Sequence, residues 1–148
     1  MARIKINLPE NFAFSTEIKI RVSDINYGGH LGNDALLSII HEARLQYLRQ
    51  LGYSELRFGE NALIMADAAI EYKGEGFMGD VLTIQIAPAD FTKYGFDLVY
   101  HITNQNNKPI AYGKTGMLCF NYDTRKLASL APEIRRQMEN TTFSSTQE

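Results

Sequence analysis

Phe12, Phe14, Thr16, Ile18, Ile20 and Val22 alternate with Ser15, Glu17, Lys19 and Arg21. That period of two predicts a half-buried strand from Phe12 to Val22. The pattern then breaks at Tyr27-Gly28-Gly29-His30-Leu31-Gly32-Asn33. Three glycines in so short a stretch mark a loop whose backbone can approach a ligand closely. The period changes again at Leu36, Ile39, Ile40, Ala43 and Tyr47, which lie on one helical stripe. A helix is predicted from Asp34 to Gln50, with Asn33 or Asp34 as its N-cap and Gly52 closing its end. Leu37, Leu45 and Leu48 widen the apolar stripe, so this helix should be covered on more than one side.

Strand patterns follow at Ala62–Tyr72, Val81–Ala87, Phe96–Thr103 and Ile110–Tyr122, with a turn over Asn104–Pro109. A short helix is expected from Pro132 to Glu139, with proline in its first turn. One strand, one long helix and four further strands do not alternate as a parallel α/β sheet requires. The expected class is α+β: a curved antiparallel sheet around one long central helix. Residues 1–139 form one domain in this reading. The Thr-, Ser-, Asn- and Gln-rich stretch 140–148 is expected to be a flexible tail.

Composition narrows the function classes. A net charge of −2 offers no field to gather nucleic acid or an anionic membrane surface. No apolar run approaches the roughly 20 residues of a membrane helix. Cys119 is the single cysteine, so no internal disulfide is possible and a cytoplasmic setting is expected. Three histidines without ligand-spaced Cys or carboxylate partners imply no metal, and no Gly-rich phosphate loop implies no nucleotide cofactor.

The chemistry concentrates between Arg21 and Arg44. A strand there runs into a flexible loop that delivers polar side chains beside a helix N-terminus. The first N–H groups of that helix lack internal partners and carry partial positive charge. Such a terminus suits the oxyanion of a thioester carbonyl. An ordinary capped helix after a loop accounts for the same residues on physical grounds alone.

Asp24, Asn26, His30, Asn33 and the run Glu42-Ala43-Arg44 resemble the 4-hydroxybenzoyl-CoA thioesterase branch of the hot-dog superfamily. Ile70-Glu71-Tyr72 and the Gly79-Asp80 pair extend the resemblance over nearly the whole chain. The resemblance implies a hot-dog fold, hydrolysis of an acyl-CoA thioester without a cofactor, and self-association as a dimer or tetramer with active sites at the dimer interface. It also implies site roles. The Asn33 N–H, with Gly32 beside it, would hold the oxyanion, while Tyr27, His30 and Gly32 would contact substrate. The family's catalytic carboxylate falls on Asn26, an amide that cannot act as a base. Asp24, on the same face of an extended stretch, and Glu42, on the helix beside His41, are the carboxylates that could replace it. Two rivals remain. One is a protein that binds acyl-CoA or an acyl carrier without hydrolysis; the other is a hot-dog dehydratase built on a histidine and an acidic partner.

Overall fold

The computed structural model describes residues 3–141 and the backbone of Phe143–Ser144. The chain opens with β1 (Asn11–Phe12) and β2 (Phe14–Lys19), then a single 3-10 turn at Val22–Asp24. Helix α1 (Asn33–Leu51) follows, and then β3 (Ala62–Tyr72), β4 (Val81–Ala89), β5 (Gly95–Thr103) and β6 (Pro109–Asn121). A short β7 (Lys126–Leu127), α2 (Pro132–Asn140) and β8 (Phe143–Ser144) complete the order. Every pairing is antiparallel, and the main sheet runs β2-β4-β5-β6-β3 with β7 added beside β6. This is the α+β arrangement expected from the sequence.

The sheet's inner face comes from alternate residues. Leu82, Ile84 and Ile86 on β4 and Leu98, Tyr100 and Ile102 on β5 are completely buried. They meet Leu36, Ile39, Ile40, Ala43, Tyr47 and Leu48 of α1 in one core. Burial of an aliphatic or aromatic side chain of this size is worth roughly 1.5–3 kcal/mol, so this contact dominates folding. Gly52 ends α1 in the left-handed conformation at φ 97°, where glycine has no Cβ penalty.

Four details depart from the sequence expectations. The first strand ends at Lys19, and Val22 is exposed because the chain turns there under Asp24. The α1 N-cap is Gly32 rather than Asn33 or Asp34, and no side chain caps the helix start. Leu37 is exposed, whereas Arg44 is buried with its charge. Finally, α2 runs one residue further than expected, to Asn140; Phe143–Ser144 pair with Asn11–Phe12, and residues 142 and 145–148 of the expected 140–148 tail lie outside the described residues.

Two substitutions test the packing with opposite signs. A Cβ at Gly95 would overlap the Met117 carbonyl on β6, a backbone group that cannot step aside. Gly95→Ala should therefore lower stability by about 2 kcal/mol or more, read as a lower urea midpoint. The Tyr47 hydroxyl is buried without a hydrogen-bond partner among the described residues. Tyr47→Phe should raise the midpoint, by roughly 1 kcal/mol, because it removes an unsatisfied polar group.

Candidate active site

The segment before α1 is shaped by its own polar side chains. Asp24 is almost fully buried and closes the 3-10 turn, its Oδ2 accepting the Arg21 N–H at 2.8 Å and its Oδ1 lying 3.2 Å from Arg21 Nη2. Burial pushes the Asp24 carboxyl up, but the hydrogen bonds and charge of Arg21 outweigh it and hold the group below its ordinary range. Asn26 then folds the loop onto itself. Its Oδ1 accepts the N–H groups of Gly28 at 2.9 Å and His30 at 3.2 Å, while its backbone N–H donates to the His30 carbonyl at 2.8 Å. Gly29 sits at φ 81°, a conformation that side chains disfavour.

Gly32 joins this loop to α1. Its N–H donates to the Asp24 carbonyl at 2.9 Å and is therefore already engaged. A Cβ there would stand 2.9 Å from Asp34 Oδ1 and 3.6 Å from the Asp24 carbonyl oxygen. Because the cap is a glycine, no side chain covers the first turn, and the Asn33 N–H has no acceptor among the described residues. The helix dipole adds partial positive charge at that point.

A second loop, between β3 and β4, closes over the first. The Leu31 N–H donates to the Gly76 carbonyl at 2.8 Å, and His30 Nδ1 lies 3.1 Å from Glu75 Oε2. The His30 ring also leans on Phe77, with centroids 5.3 Å apart. Between the loops and α1 lies a cavity of about 210 Å³ lined by Asn26, His30, Gly32, Asn33, Tyr72 and Glu75, among others. The structure therefore gathers four sequence-predicted residues and adds Glu75, which sequence reading missed. The Gly74-Glu75-Gly76 triplet was the available signal.

Glu42, Asp24 and Tyr27 lie elsewhere. Glu42 is on the exposed side of α1, where Oε2 accepts Gln46 Nε2 at 2.8 Å. It lines a different cavity, of about 290 Å³, together with Arg21 and Asp24. Tyr27 is fully exposed at the loop tip.

A polar cluster crosses the middle of α1. Arg44 Nε donates to Glu55 Oε2 at 2.8 Å, and Nη1 donates to the Tyr100 hydroxyl at 3.3 Å. Tyr100 in turn lies 2.8 Å from Thr115 Oγ1, and His41 Nε2 is 3.0 Å from Glu55 Oε1. Burial pushes the Glu55 carboxyl up, yet Arg44 and His41 hold it below its ordinary range. Arg44, Glu55, His41 and Thr115 line a cavity of about 530 Å³ whose other wall is the apolar edge at Leu63, Ile64 and Met65. Cys119 is buried, and burial pushes its thiol up to about 11, so it holds its proton at neutral pH.

A sequence model described as the thioesterase-like superfamily matches residues 20–138, which include both loops, α1 and the whole of β3–β6. The chain belongs to that superfamily. It is 29% identical over 126 residues to a 1,4-dihydroxy-2-naphthoyl-CoA hydrolase of Crocosphaera subtropica, covering 82% of this chain and 92% of the relative. The fold is that of a 1,4-dihydroxy-2-naphthoyl-CoA thioesterase from Synechocystis, at TM-score 0.78 and 21% identity over 88% of this chain and 96% of that one. It also matches a Staphylococcus aureus protein solved in complex with CoA, at TM-score 0.81 and 16% identity over 97% of this chain and 94% of that one. These likenesses establish the hot-dog architecture expected from the sequence.

The Asp24–Arg21 bond makes a pH prediction. A carboxyl held lower in the folded than in the unfolded chain stabilises above its unfolded value, and that stabilisation is lost as pH falls through the folded value. Asp24→Asn should lower the melting temperature at pH 7 and have little effect at pH 2. Thermal melts across pH check it. Equal losses at both pH values would show that the carboxylate charge does not matter.

Proposed function

We propose that this protein hydrolyses an acyl-CoA thioester to the free acid and CoA. The observation that carries the proposal is the uncapped start of α1: Asn33, whose N–H has no acceptor among the described residues, lines the cavity shared by Asn26 and His30. Membership of the thioesterase-like superfamily and the printed activity of the curated relatives support it. In this reading the Asn33 N–H and the helix dipole stabilise the oxyanion that forms as water attacks the thioester carbonyl. The CoA thiolate is a good leaving group, so no metal or redox cofactor enters the step.

Asn26 holds the loop through its carbonyl oxygen, which a carboxylate would do equally well. The amide therefore keeps the loop's shape without supplying a base. Aromatic acyl groups are the first candidates, since the relatives are hydrolases of a naphthoyl thioester. The functional unit is a dimer in the cytoplasm. The β3 strand lies at one end of the main sheet with Met65 exposed, and such an edge favours pairing with a second copy.

Thiol release measured over aromatic, short and long acyl-CoAs should show turnover, greatest for an aromatic acyl group. Asn26→Asp should raise that turnover, by as much as about 10²-fold, by adding a carboxylate beside the oxyanion site. CoA binding by calorimetry without thiol release from any thioester would instead identify a non-catalytic binding protein. Sedimentation at micromolar concentration should give a dimer or a tetramer; a monomer would refute the assembly.

A further inference from the structure

Hydrolysis needs a group to take the proton from water, and Asn26 cannot do so. Asp24 is committed to Arg21, and Glu42 faces another cavity. We propose that His30 is the general base of this thioesterase and that Glu75 is its positioning residue, an inference that rests on the thioesterase reading above. His30 Nδ1 lies 3.1 Å from Glu75 Oε2. Glu75 Oε2 and the Phe77 ring together set where the imidazole sits, and a placed imidazole is the commonest general base. Both residues line the cavity that holds the Asn33 N–H, so base and oxyanion donor border one space.

The placement of Glu75 is constrained on both sides. A Cβ at Gly74 would stand 2.8 Å from the Pro109 carbonyl oxygen, and one at Gly76 would stand 2.9 Å from Ile20 Cδ1 and 3.1 Å from Leu31 Cβ. The Lys73 and Gly74 N–H groups both donate to the Ile110 carbonyl, at 2.9 and 3.1 Å, and the Gly76 carbonyl accepts from Leu31. The backbone is thus clamped before and after the one residue that carries a long charged side chain. His30 is held equally well, since its N–H and its carbonyl are both bonded to Asn26. The His30 and Glu75 side chains are 39% and 63% exposed, and an ion pair so open to water adds little stability.

The step balances without a further reactant. Water oxygen bonds to the carbonyl carbon as His30 Nε2 takes its proton, and the carbonyl electron pair moves to the oxygen held by Asn33. Collapse of that intermediate breaks the C–S bond, and the imidazolium returns its proton to the departing thiolate. The charged groups that share a cavity with Glu75 are Lys73 and Asp80 on the β3–β4 loop and Lys108 beyond β5. Lys73 is already bound to Glu71 at 2.6 Å.

The test is the pH profile of kcat/KM for thiol release, with melting temperatures as the folding control. The wild type should lose activity on the acid side as an imidazole is protonated. His30→Gln should lower kcat by about 10²–10⁴-fold and abolish that limb. Glu75→Gln should reduce kcat less than His30→Gln does, with KM and the melting temperature unchanged. His30→Gln activity within a few-fold of wild type would overturn the inference and leave the thioesterase reading standing. Should that variant fail to fold, a wild-type kcat in Glu75→Gln would overturn it instead. Absence of thiol release from the wild type with every thioester tested would overturn both.

Discussion

The enclosure of α1 by the sheet is the contact on which the other features rest. The buried stripe of α1, from Leu36 through Ile40 and Ala43 to Leu48, seats in a concave face, while Asp34, Ser38, His41 and Glu42 lie on its exposed side. The sheet therefore curves, and its inner residues on β4 and β5 are fully buried against the helix. The buried face of α1 is closed to ligands, and its backbone can meet one only at its ends. Its C-terminal end is closed by Gly52 and its N-terminal end is left open by Gly32. The chemistry gathers at the open end because backbone donors remain there without partners.

Much of this was legible in the sequence, for reasons specific to each element. β3 follows the expected boundaries at both ends because polar turns bracket a run of strand-forming residues. The C-terminal end of α1 was readable because glycine has a distinct conformational role there. The N-terminal end was misread because Asn33 and Asp34 are both good caps, yet the chain enters the helix one residue earlier, at Gly32. Strand period alone could not show that Val22 leaves the sheet, since the cause is a bond between the Asp24 side chain and the Arg21 backbone.

The candidate site was legible on one side only. Asn26, His30, Gly32 and Asn33 are near neighbours in sequence, and the structure places all four around one cavity. Glu75 comes from the β3–β4 loop, with the whole of α1 and β3 between it and His30 in the chain, so no spacing rule connects them. Arg44 was invisible for a related reason. An arginine on an apolar stripe reads as a solvent-facing interruption, and only the converging Glu55 and Tyr100 make its burial tolerable.

That buried arginine also orients the helix. An apolar cylinder in an apolar trough has many seatings of similar energy, differing by rotation about its axis. Arg44 discriminates among them, because this orientation brings its guanidinium to both Glu55 and Tyr100. A rotation by one residue position, about 100°, would carry Asn33 away from the loop that meets it. The azimuth of the oxyanion donor is thus fixed about three turns downstream, by a charge that never touches the substrate.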